Sequence, residues 1–167
     1  MALENGRFIQ QNYHEKETFA SFLPGISGEK GIPTWCYYVN RGQGVVSFGT
    51  ENKDHAIMEF FPAHQAYQQV GTLGFRSFLK VNGHFLEPFQ GQGVSRTLSV
   101  SMGDLTIEEV REDLGLEITV EYETLPLESL GGLLRKVTLK NISQEDFSVE
   151  FLDGMPALIP YGIDLRA

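Results

Sequence analysis

Asn82-Gly83 stands between two apolar runs, Phe78-Leu79-Lys80-Val81 and His84-Phe85-Leu86. An Asn-Gly pair is the preferred tip of a two-residue hairpin, because both loop positions take positive φ and these residues tolerate it. The spacing therefore predicts two antiparallel strands joined end to end. Leu116-Glu117-Ile118-Thr119-Val120-Glu121-Tyr122-Glu123 carries the same message in another form. Leu116, Ile118, Val120 and Tyr122 alternate with polar residues, which is the period of a strand with one face on a core. Its acidic face, Glu117, Glu121 and Glu123, reads as a solvated sheet surface.

The remainder of the chain repeats the pattern. Phe8 to Tyr13 reads as a short strand and Gly25 to Pro33 as a loop. Trp35 to Asn40 is aromatic and β-branched, and reads as a strand. Arg41-Gly42-Gln43-Gly44 is a turn, and Val45 to Phe48 returns from it, so Trp35 to Phe48 is a predicted hairpin. Glu51 to Asp54 is a polar loop, and Ala56 to Phe61 a strand stopped by Pro62. Ala63 to Val70 fits either one helical turn or a loop. Thr97 to Ser101, Leu105 to Arg111, Leu134 to Ile142 and Phe147 to Leu152 are further strands. Short strands with turn signals between them predict an all-β fold, an antiparallel β-sandwich in one domain.

The chain has 167 residues, 41% apolar and 21% charged, ordinary values for a globular domain. With 13 basic against 22 acidic residues its formal net charge is −9. That argues against a nucleic-acid partner or an anionic membrane, since phosphate binding needs a basic patch. It leaves a neutral ligand such as a sugar open. The N-terminus lacks a basic segment followed by an apolar run, so no signal peptide is legible and the default compartment is the cytoplasm. Cys36, the single cysteine, reads as a core thiol. The end from Met155 to Ala167 stays apolar, and Asp164 has the form of a helix cap with no helix after it; this reads as the front piece of a longer protein.

Enzymatic motifs fail one by one. There is no phosphate loop of the G-x-x-x-x-G-K-[ST] type, and neither Gly42-Gln43-Gly44 nor Gly91-Gln92-Gly93 continues as a dinucleotide fingerprint. His14, His55, His64 and His84 are scattered without zinc-ligand spacing. No Gly-x-Ser-x-Gly elbow is present. Carboxylates are plentiful, but nothing in the sequence sets one pair apart in an apolar pocket that would raise a pKa.

Aromatic and amide chemistry remains. Sugars are recognised by flat aromatic faces against their C–H groups and by planar polar groups against their hydroxyls. Trp35, Asn40, Arg41, Gln43, Asp54 and His55 supply those types within one stretch, and they are the candidate substrate-binding residues. On a strand Trp35, Tyr37 and Val39 share one face and Cys36, Tyr38 and Asn40 the other, so one face is expected in the core.

Three segments also resemble a known family: Gly31-Ile32-Pro33-Thr34-Trp35, Asn40 to Gly49, and Asn52-Lys53-Asp54-His55. With Leu134 to Asn141 and Phe147 to Leu152, they are similar to the N-terminal region of cellobiose phosphorylase-like proteins, the glycoside hydrolase family 94 type, in a divergent form. The resemblance implies an antiparallel supersandwich of the galactose mutarotase-like kind, incomplete at this length. It implies a non-catalytic domain that shapes the mouth of an active site carried by a following helical barrel, and that helps form a homodimer. The parent reaction would be phosphorolysis of a β-glucoside, with an oligosaccharide as substrate, inorganic phosphate as co-substrate and no other cofactor. No catalytic residue transfers to this chain. An independent carbohydrate-binding module and a mutarotase-like sugar epimerase are the alternative readings.

Overall fold

A computed structural model describes residues 2–125 and 128–162. Asp164 and the last residues of the apolar C-terminal segment lie outside the described residues.

The described residues form three antiparallel sheets. The largest runs β1 (Ala2–Glu4), β2 (Arg7–Gln11), β9 (Ser95–Val100), β10 (Asp104–Arg111), β11 (Leu116–Thr124) and β12 (Leu133–Asn141), in that spatial order. A second sheet orders β3 (Ala20–Ser27), β4 (Ile32–Val39), β5 (Val45–Thr50) and β6 (Ala56–Met58). The third places β7 (Arg76–Val81) between β13 (Val149–Gly154) and β8 (His84–Leu86). A short α-helix, α1 (Ala63–Gln69), follows β6. Among the described residues no helix is long and apolar enough to cross a membrane.

The layers form because alternation works on both sides of the interface. Leu105 and Ile107 of β10 and Leu116, Ile118, Val120 and Tyr122 of β11 are all fully buried. They meet Leu23, Cys36, Tyr38 and Val45 of the second sheet and Leu79 and Val81 of the third. Burying each such aliphatic side chain stabilises the fold by roughly 1.5–3 kcal/mol. The arrangement is sandwich-like, with the six-stranded sheet on one side of the core and the two smaller sheets on the other.

The hairpin at Asn82-Gly83 is present, with φ of 49° and 87° at the two loop residues. Trp35 to Phe48 is likewise a hairpin, β4 to β5. Both faces of β4 are covered, not one. Cys36 and Tyr38 enter the main core, while Tyr37 and Val39 pack with Val46 against Ala66 and Val70 of the α1 segment.

The loop expected from Gly25 to Pro33 is a correction. β3 runs through Pro24 and Gly25 to Ser27, and only the turn at Gly28–Gly31 separates it from β4. Proline is tolerated because β3 is the edge of its sheet. Gly25 is required because a Cβ there would sit 1.9 Å from Thr124 Oγ1 of the facing sheet. The strand expected over Ala56 to Phe61 is also shorter, ending at Met58. Ala63 to Val70, open between helix and loop, contains α1.

Candidate functional site

The six candidate residues divide between the two ends of the β4–β5 hairpin. Trp35, Asp54 and His55 lie at the end where β5 leaves; Asn40, Arg41 and Gln43 form the turn. Asn40 is five positions along the chain from Trp35, a span of roughly 17 Å at strand rise.

At the first end, Trp35 points its indole N–H toward the carbonyls of Asn52, at 3.3 Å, and Thr50, at 3.4 Å. Its ring meets Phe22 and Phe60 edge-on, with centroids 6.1 and 6.2 Å apart. Phe22 is half exposed, so the cluster has an open margin. Asp54 is exposed; its carboxylate accepts a hydrogen bond from the Tyr161 hydroxyl at 2.7 Å and pairs with Lys53. The Lys53 ammonium, then the Tyr161 hydroxyl, hold that carboxyl below its usual range. His55 is exposed, with Nδ1 3.4 Å from Glu51 Oε2.

The turn is built differently. Asn40 is fully buried, and its side chain stitches the preceding segment to β4. Its Oδ1 accepts from the Phe19 N–H at 2.9 Å, while Nδ2 donates to the Glu17 carbonyl at 2.8 Å and the Tyr13 carbonyl at 3.2 Å. Arg41 donates to the carbonyls of Asn40 at 2.6 Å, Lys16 at 2.7 Å and Tyr13 at 3.3 Å. The Tyr13 hydroxyl in turn donates to the Gly42 carbonyl at 2.5 Å. The turn and the segment Tyr13–Glu17 are therefore one rigid unit.

Gln43 points inward and joins all three sheets. Its Nε2 donates to Ser77 Oγ at 3.3 Å, and its Oε1 accepts from Arg135. Arg135 also donates to the Tyr122 hydroxyl at 3.1 Å and to Asp153, and its guanidinium lies 5.0 Å from the Phe75 ring centre. Ser77 closes the network by donating to Asp153 Oδ1 at 2.6 Å.

Beside the turn lies a cleft of about 670 Å³. Arg41 and Gly42 form one wall, and Tyr67, Gln68 and Val70 of the α1 segment form the second. The loop Phe89–Gln92 forms the third. That loop is fixed from below by a buried ion pair. Arg96 Nε donates to Glu109 Oε2 at 2.7 Å, and Arg96 also donates to the carbonyls of Gln90 and, at 2.9 Å, Gly91. The Phe89 N–H reaches the same Glu109 oxygen at 2.6 Å.

His14 lines the cleft between these parts. Its side chain is 9% exposed, and neither ring nitrogen has a hydrogen-bond partner. Burial, followed by the Arg96 and Arg41 guanidinium groups, pushes the imidazole pKa down, while Glu15 and Glu109 oppose the shift. The ring is therefore neutral at pH 7. The open cleft is wide enough for a small ligand, and its lining combines amides, a phenol and an imidazole.

Sequence reasoning reached Arg41 and the turn but not His14, Tyr67, Gln68, Gln92 or Arg96. The two Gly-Gln-Gly triplets were a usable signal: Gly42 of one and Gly91 with Gln92 of the other sit on this cleft. Among the described residues no three His, Cys, Asp or Glu side chains converge as a metal site requires. No protein-family model matches the chain, and no curated protein matches it.

Proposed function

We propose that the chain is a non-catalytic β-sandwich domain of a carbohydrate-active enzyme resembling the cellobiose and β-glucan phosphorylases, and that it offers a sugar-contacting cleft at its β4–β5 turn. The observation that carries this is the cleft itself. It opens at the turn where the family resemblance is strongest, and its lining suits hydroxyl groups and C–H faces together. The acidic net charge of −9 agrees with an uncharged ligand. In this reading an oligosaccharide is the partner, inorganic phosphate is used by the parent enzyme at another domain, and a homodimer is the assembly. Calorimetric titration with cellobiose tests it: measurable binding, without release of sugar phosphate when phosphate is added, is expected. Turnover by the chain alone would sink the proposal.

A second reading, a free-standing carbohydrate-binding module, draws on the open margin of Phe22, Trp35 and Phe60. It places the sugar on that cluster, so Trp35→Ala would remove binding and Gln92→Ala would not. The cleft reading expects Gln92→Ala to weaken it.

A further inference from the structure

His14 is in an unfavourable place for a structural residue. Around it, the polar side chains Asn40, Arg41 and Arg96 are engaged by named partners at hydrogen-bond distance. The imidazole is 9% exposed yet satisfies neither nitrogen; Glu15 Oε1 is 3.7 Å from Nε2. An unpaired buried polar group lowers stability, and local rules are broken most often where a ligand completes them.

The charges around the cleft decide the kind of ligand. Arg96 is neutralised by Glu109 beneath the cleft, which leaves Arg41 and Glu15 as the opposite charges on the lining, within a chain of net charge −9. An anion such as phosphate gains little there. The amides of Gln68, Gln90 and Gln92 each offer both donors and an acceptor at the rim, and Tyr67, partly exposed, adds one aromatic side chain. Paired donors and acceptors beside one aromatic side chain match a polyhydroxylated ring and not a flat apolar molecule.

We propose that this cleft binds one uncharged hexose unit, with the neutral imidazole of His14 as its hydrogen-bonding anchor. The inference deepens the sugar-handling reading above and rests on it. The ring accepts a hydroxyl proton at one nitrogen and donates at the other, so a single sugar hydroxyl or a vicinal pair can use it.

The test is a titration with methyl β-glucoside and with cellobiose, followed by saturation-transfer NMR and calorimetry, on the full chain and three variants. His14→Leu removes both nitrogens while keeping bulk, and His14→Gln restores a donor and an acceptor. His84→Ala, on the β7–β8 hairpin, is the control. The account expects at least tenfold weaker binding for His14→Leu, partial recovery for His14→Gln and no change for His84→Ala, with circular dichroism showing each variant folded. Sugar binding unchanged in a folded His14→Leu would overturn the anchor while leaving the sugar-handling reading in place. Absence of binding to both sugars in the unaltered chain would overturn both. Binding of inorganic phosphate that depends on His14, with no sugar binding, would overturn the ligand class.

Discussion

Arg96 and Glu109 form an ion pair with both side chains shut away from solvent, 1% and 0% exposed, and the Nε to Oε2 distance is 2.7 Å. The pair does more than neutralise itself. The same two side chains hold Phe89, Gln90 and Gly91 by their backbone groups, and Phe89 stays at a φ of 62°. One wall of the cleft is therefore fixed by strands β9 and β10, not by loop residues. Breaking a buried pair from one side leaves an uncompensated charge, at a cost of about 3–5 kcal/mol. Glu109→Ala and Arg96→Ala should each lower urea-denaturation stability by that order. The double change Arg96→Met with Glu109→Leu should cost less than either single change, because no charge is left unpaired.

Asn40 was a candidate for sugar contact, but all the hydrogen bonds of its side chain go to Phe19, Tyr13 and Glu17. Asn40→Ala removes the side-chain partner of the Phe19 N–H and of the Glu17 carbonyl, while the Tyr13 carbonyl keeps Arg41 and the Lys16 N–H. A loss of at least about 2 kcal/mol is expected from unsatisfied groups of this kind. Thermal unfolding would read it, and Asn40→Asp should recover only the Phe19 contact.

The pH dependence of the cleft follows from His14. The charged groups facing its ring are Glu15, Arg41, Arg96 and Glu109. Its folded pKa lies below the ordinary value of about 6.5. The unfolded chain therefore binds the proton more readily than the folded one as pH falls. The stability that a neutral His14 allows is fully present above the unfolded pKa and is lost as pH drops from there through the folded pKa. Sugar binding should weaken over the same window. In denaturation at pH 7 and pH 5, His14→Leu should lose less stability on acidification than the unaltered chain. At pH 7 it should be as stable or more stable by about 1 kcal/mol, since two unpaired nitrogens are gone.

Cys36 is fully buried in the main core, and burial pushes its thiol pKa up. The thiolate, which is the reactive form, is scarce there. A thiol reagent should leave the native protein unmodified and should react with one group per chain after denaturation.

Much of the fold was legible where one residue pattern served one face. The alternation in β11 gave both its span and its buried side, and Asn82-Gly83 gave a hairpin with the register Val81 to His84. Reading failed where tertiary contact overrode local signals. Pro24 and Gly25 look like a break, yet edge position and the close approach of Thr124 make them strand residues. The site was less legible because its parts are distant in sequence. His14, Tyr67 and the pair Gln92 and Arg96 belong to three segments, and only the folding of the turn after β2, of α1 and of the approach to β9 around the β4–β5 turn brings them to one cleft. Gln43 shows the converse: a residue type suited to sugar recognition is engaged inside with Ser77 and Arg135.

The most direct measurement is a backbone amide NMR spectrum recorded while cellobiose is added. The account predicts shifts gathered at Arg41 and Gly42, at Tyr67 to Gly71 and at Gln90 to Gln92, together with the ring protons of His14. Shifts confined to Phe22, Trp35 and the Asp54-His55 loop, or none at saturating sugar, would contradict it.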